Sequence, residues 1–422
     1  MSSARSYGGV NLDAQGAAQT PLWLPTVGNG LDDIDWSQLR HNYGSAEDIP
    51  GLLRASAAGD GDAVGELDNT LFHQGGWVGS AATAALPFLV RLATDAQVRP
   101  RAGIVDVIAA LAAVANTADA RFIDEGWEAA LGHEMPRLLA VLTDEDAAVR
   151  RAGAALAREL PAEQAITAIL ARSRQEPDRV TRWDLVLAIG DLVTRTADTG
   201  QAIAFLTDQL ASDDEQLALA AVHALAAAGA INAGDQLDLL LRAVSGDISG
   251  WSQSALATPA VVSWTGRLLL GDPLAASAYQ LQLTEGPADP DRRIDVARAM
   301  GELLDEWRSP SSAMLPVLAS WLSDPLPELR FRAAFLLGGL GAEAAPYADA
   351  LARASEDPTP PAPRPGGQPW GRRHSGRSAA SGTVAAYPVC AGNWASTPAG
   401  STRPSTFPAT PTCRRSWRCT NS

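Results

Sequence analysis

The chain has 422 residues, and 33 basic against 48 acidic side chains leave it at −15 at neutral pH. Hydrophobic residues make up 46% of it but aromatics only 6%, so its apolar weight is chiefly Ala, Leu and Val. That profile suits a helical protein and argues against a sandwich, a barrel or a membrane protein: no run approaches the roughly 18 apolar residues of a spanning helix.

In chain order, residues 1–30 are rich in Gly, Ser, Asn and Gln without periodicity and read as a flexible leader. They lack the basic-then-apolar order of a secretory signal, which points to a cytoplasmic protein with no membrane partner. Residues 31–95 read as two particular opening repeats. Trp36, Tyr43 and Phe88 are placed to cover the open end of a helix stack, as terminal repeats must. A rival reading makes His41, His73 and Gln74 a ligand site; structural histidines near helix ends are the commoner case.

From about residue 45 to 357 apolar helical segments alternate with short polar breaks. Met135, Leu138, Leu139, Val141 and Leu142 follow helical spacing, then Val149, Ala152, Ala155 and Leu156. Aspartates mark the breaks: Asp60, Asp95, Asp144, Asp178, Asp213, Asp247, Asp289, Asp324 and Asp357. From Asp144 on the steps are 33–35 residues except for one of 42 between Asp247 and Asp289, and Asp60 and Asp95 also stand 35 apart. Such a period predicts an all-α solenoid of about eight to nine helix pairs over residues 31–357. At Ser323-Asp324-Pro325 either polar side chain is suited to cap the next helix, and Pro325 fits its first turn. The irregular step coincides with an insertion over residues 246–259. Insertions tend to emerge on one face of a solenoid, often the binding face, which makes Trp251 the best single contact candidate; a buried plug between repeats is the competing reading. If the segment from residue 358 on is out of frame, the last helix is expected over residues 344–355, leaving Leu340, Tyr347 and Leu351 partly uncovered.

The turn grammar of Asp144 with Arg150 and Asp324 with Arg330 resembles that of HEAT-repeat proteins, over about three-quarters of the chain. The opening residues, Trp36 to Arg54 and Leu71 to Leu89, look like a bacterial, actinobacterial-type subgroup; the absence of lysine beside abundant Ala and Gly fits a G+C-rich genome. The resemblance implies that Asp144, Arg150, Asp324 and Arg330 are structural turn residues bonded between neighbouring repeats. It is specific for fold and silent on function.

The last 65 residues, 358–422, contain no Leu, Ile, Asp or Glu, yet hold eight arginines, eleven prolines and all three cysteines, Cys390, Cys413 and Cys419. A basic arm, an ordinary disordered tail and a frameshifted translation compete for this segment. Composition favours the third. With G+C-rich codons and a shift of two nucleotides, residues 407–419 read Pro-Gly-Asp-Ala-Asp-Val-Pro-Ala-Leu-Leu-Ala-Val, echoing residues 46–53 and 135–141.

The repeat body has no cysteine, no phosphate loop, no His-Glu-x-x-His and no Gly-x-Ser-x-Gly. His133-Glu134 is the one pair of the kind that di-iron HEAT-like hydroxylases use several times. No compact bilin-lyase motif is found. Trp251, Trp264, Trp307 and Trp321 offer aromatics of the sort a HEAT-like DNA glycosylase needs, but so acidic a body repels phosphate. The expectation is a non-catalytic scaffold without cofactor that binds another protein along a solenoid groove, its acidic rim suited to a basic partner. The alternatives are a HEAT-like enzyme, bilin-lyase-like or metal-dependent, and a DNA-repair module.

Overall fold

Short acidic side chains set the helix starts in this chain. Asp60 accepts the backbone N–H groups of Asp62 and Ala63, Asp146 that of Ala148, Asp178 that of Thr181, Asp214 those of Gln216 and Leu217, and Asp289 that of Asp291. Each satisfies donors that a helix cannot pair internally. In this computed structural model the described residues are 29–72, 75–286 and 289–355. All belong to the first of two units; the second, Pro363–Ser422, lies outside the described residues, as do most of the expected leader, the tail with its cysteines, and Asp357.

The fold is all-α and solenoid-like. Eight helix pairs follow one another: α1 (Ile49–Ala57) with α2 (Gly61–Leu67), α3 (Ser80–Thr94) with α4 (Arg101–Thr117), α5 (Trp127–Ala140) with α6 (Ala147–Glu159), and α7 (Ala162–Ser173) with α8 (Arg179–Val193). They continue with α9 (Gly200–Gln209) and α10 (Glu215–Ala227), α11 (Leu237–Ser245) and α12 (Val261–Leu268), α13 (Pro273–Thr284) and α14 (Pro290–Glu306), and α15 (Ser311–Trp321) and α16 (Pro327–Leu340). A single helix, α17 (Ala348–Ser355), follows. Second helices pack on second helices and first on first, giving two layers with one continuous apolar core between them. The second-helix layer is the more tightly spaced through α4, α6, α8 and α10, which makes it the inner layer there.

Arginines of the inner layer tie successive pairs together. Arg101 of α4 pairs with Asp144, Arg179 of α8 holds Asp214 through two bonds of 2.9 and 2.8 Å, and Arg293 of α14 pairs with Asp324. Arg150 and Arg330 also meet the turns expected of them, but by backbone rather than carboxylate. Arg150 Nη1 donates to the Asp144 and Glu145 carbonyls at 2.8 Å, and Arg330 Nη1 to the Asp324 carbonyl at 2.8 Å. The rest of the Arg150 guanidinium grips buried Glu176, at 2.9 and 2.8 Å. Burial pushes the Glu176 carboxyl up, but Arg150, the Asp178 N–H and Arg172 outweigh it and hold it below the usual range.

At two of the breaks the cap is an aspartate just after the marker: Asp146 after Asp144, and Asp214 after Asp213. Several local expectations are corrected. At the last break Leu326 is the capping position and Pro327, not Pro325, opens α16; the Asp324 carboxylate instead accepts the Leu326 N–H at 2.9 Å. The expected helix over residues 344–355 begins only at Ala348: a 3₁₀ segment, Gly341–Tyr347, precedes it, and Pro346 within that segment has no N–H to continue an α-helical ladder. Leu340 is buried and Tyr347 and Leu351 are half-buried, while Phe335 is 73% exposed on α16. The sequence offered no strand, yet β1 (Arg40–His41) and β2 (Gly44–Ser45) form a small antiparallel hairpin whose turn needs Gly44 at φ +141°.

Candidate functional site

The irregular step in the repeat becomes a strap across the inner layer. Between α11 and α12 residues 246–260 form a loop with one 3₁₀ turn, Ser249–Gln253, laid over the inner helices. Gly250 makes the close approach possible, since a Cβ there would stand 2.7 Å from the Trp183 ring of α8.

Trp251 anchors the strap and is fully buried, so the exposed contact expected of it is absent and the plug reading describes it. Its ring stacks on Trp183 at 4.6 Å and meets Trp264 of α12 edge-on at 5.5 Å; Trp264 in turn stacks on His223 of α10 at 3.4 Å. The indole N–H donates to Gln216 Oε1 at 2.7 Å. These rings fill the junction between α10 and α12, where the inner helices touch one another least. His223 sits inside this stack, and burial lowers its pKa to about 3, so it is a neutral packing residue.

Beyond Trp251 the strap behaves as a bound peptide. Asp184, fully buried in the middle of α8, accepts the Ser254 hydroxyl and, at 3.0 Å, the Ala255 N–H. Arg151 of α6 donates to the Gln253 carbonyl at 3.1 Å. One acceptor and one donor thus serve both kinds of backbone group on a non-helical segment that bends over residues 255–257. Burial raises the Asp184 carboxyl to about 6, against the pull of the bonds from Ser254, Ala255 and Leu256.

Past Gln253 the strap's edge opens into a cavity of about 420 Å³. Small side chains form its floor, Ala102 of α4 with Ala148 and Ala152 of α6, and Asp106, Arg151 and Gln253 form its walls. The Asp106 carboxylate faces this space without a hydrogen bond among the described residues. Asp106 is exposed on the open side of this space, yet desolvation by the flanking helices raises it to about 6, with the like charge of Asp68 adding to the rise.

The other residues singled out from the sequence lie elsewhere. His41 is buried in the N-terminal hairpin, with Nε2 at 3.1 Å from Asp48 Oδ1 and Nδ1 accepting the Tyr43 N–H at 3.0 Å. Both ring nitrogens are thereby engaged. His73 and Gln74 lie outside the described residues. Trp36 and Phe88 are buried side by side, with ring centroids 6.2 Å apart, while Tyr43 is 58% exposed, meets His41 edge-on at 6.4 Å and donates its hydroxyl to Asn69 Oδ1 at 3.0 Å. His133 is exposed and Glu134 is paired with Arg137 at 3.1 Å. Among the described residues no three His, Cys, Asp or Glu side chains converge as a metal site would require, and no helix is long and apolar enough to cross a membrane.

Sequence reasoning missed Asp106, Asp184 and Arg151. The available signal was a charge set in an apolar helical run, as in Ile104-Val105-Asp106-Val107-Ile108 and Trp183-Asp184-Leu185. No protein-family model matches the chain, and no curated protein matches it either.

Proposed function

We propose that this chain is a non-catalytic, cytoplasmic adaptor of the HEAT-repeat type that binds another protein along its inner helix layer. The observation that carries the reading is the strap. The inner layer already holds one non-helical segment through one carboxylate and one guanidinium, and the groove continues beyond it as a small-residue cavity. Alanines at Ala102, Ala148 and Ala152 let a partner backbone come close, while the −15 net charge favours a partner surface rich in N–H donors or basic groups. The same charge disfavours nucleic acid.

Affinity capture from the native cells with three forms of the full chain tests this. Ala148→Trp fills the cavity from an exposed position, and Gln164→Trp adds the same bulk to α7 in the outer layer. A partner retained by wild type and by Gln164→Trp but lost with Ala148→Trp is the expected result. Equal capture by all three forms rejects the groove as the binding surface.

A further inference from the structure

Three inner helices carry an aspartate at the same place, six residues after the capping position. Asp106 follows Pro100 on α4, Asp184 follows Asp178 on α8, and Asp295 follows Asp289 on α14. Two of the three seats are filled, and both by the same chemistry. Asp184 takes the Ser254 hydroxyl and the adjacent Ala255 N–H. Asp295 takes the Ser263 hydroxyl at 2.7 Å and the Val262 and Ser263 N–H groups at 2.9 and 3.3 Å, in the first turn of α12, and also Arg298 Nη1 at 2.8 Å. A serine hydroxyl together with one or two neighbouring backbone N–H groups is common to both occupied positions, and Arg298 joins them at Asp295 alone.

Asp106 is the third seat, and the 420 Å³ cavity stands over it. We infer that Asp106 is the recognition residue of a peptide-binding site that takes a non-helical, serine- or threonine-bearing segment of a partner protein. The inference rests on the adaptor reading and deepens it by naming the ligand chemistry. The incoming hydroxyl and the following N–H bond the Asp106 carboxylate as Ser254 and Ala255 bond Asp184. The segment then runs over Ala102, Ala148 and Ala152, where any larger floor would hold its backbone off. Arg151 closes the far wall, already holding the strap's Gln253 carbonyl there. Two carboxylates that repel one another, Asp68 and Asp106, face no arginine partner of their own among the described residues; a donor-rich segment relieves this and an acidic one aggravates it.

The probe is the strap's own sequence, a capped Gln-Ser-Ala-Leu-Ala-Thr peptide matching residues 253–258, titrated into the full chain and followed by NMR or calorimetry. Saturable binding is expected, in the weak range usual for so short a segment. Asp106→Ala should weaken it about tenfold or more, as loss of a charge-assisted acceptor does. A peptide with Ala in place of Ser should be several-fold weaker on wild type. Asp208→Ala, an exposed carboxylate on α9, is the control for net charge and should leave binding unchanged. No saturable binding to wild type, equal binding to Asp106→Ala, or an equal loss with Asp208→Ala each overturns the assignment. The titration involves no partner, so its failure is separable from that of the adaptor reading. The capture contrast between Ala148→Trp and Gln164→Trp would still stand or fall by itself.

Discussion

At the residue scale the strap depends on a carboxylate that is costly to ionise. Asp184 is fully buried, and its pKa of about 6 lies above the ordinary carboxylate value of about 3.9. Between those two values the folded chain keeps a proton that the unfolded chain has released. A raised carboxyl therefore penalises folding as pH rises: the penalty is absent below about pH 4 and complete above about 6. For two units it amounts to about 3 kcal/mol at most. Asp106 shifts in the same direction but faces open space, so its share is smaller. Asp184→Asn preserves the geometry, because an amide can accept the Ala255 N–H and donate to the Ser254 oxygen. Urea denaturation of this variant between pH 4 and 7 should show a flatter loss of stability with rising pH than wild type. An unchanged slope would mean that Asp184 does not carry the penalty.

At the element scale the strap is a structural member as well as an occupant of the groove. α10 and α12 have little direct contact, and Trp251 fills the junction between them. Trp251→Ala removes a fully buried ring and leaves Gln216 Oε1 without its indole donor. The expected cost is about 3–5 kcal/mol by urea denaturation, with faster amide exchange over residues 249–257. A cost below about 1 kcal/mol would show that the junction closes without the ring. The contrast between this loop and the helices explains what the sequence made legible. Helix starts are local: an aspartate followed by an apolar run marks a break, even where the cap proves to be Asp146 rather than Asp144, or Asp214 rather than Asp213. The fate of Trp251 is not local. Its partners Trp183 and Gln216 stand 68 and 35 residues away, and a tryptophan in a Gly/Ser loop reads as exposed until the path of the loop is known. Asp106 and Asp184 were hidden for a related reason. A single polar residue on a helix reads as a solvated face, and only the fold sets these two in the inner layer at the same place relative to their caps.

At the scale of the whole molecule, the central claim is that the layer of second helices is a protein-binding surface, part of which the chain fills with its own strap. Pairwise stacking presents repeated positions along one face, and the Ala-rich inner helices leave that face open to a backbone. The arginine links from Arg101, Arg179 and Arg293 to the following turns hold neighbouring pairs in register, so the seats at Asp106 and Asp184 keep a fixed spacing. The most direct measurement places a photo-crosslinking amino acid at position 148 in the groove and, separately, at position 164 on α7, in the full chain within its native cells. The expected result is a discrete adduct from position 148, diminished by excess peptide of residues 253–258, and none from position 164. An adduct from position 164 at equal or greater yield contradicts the claim.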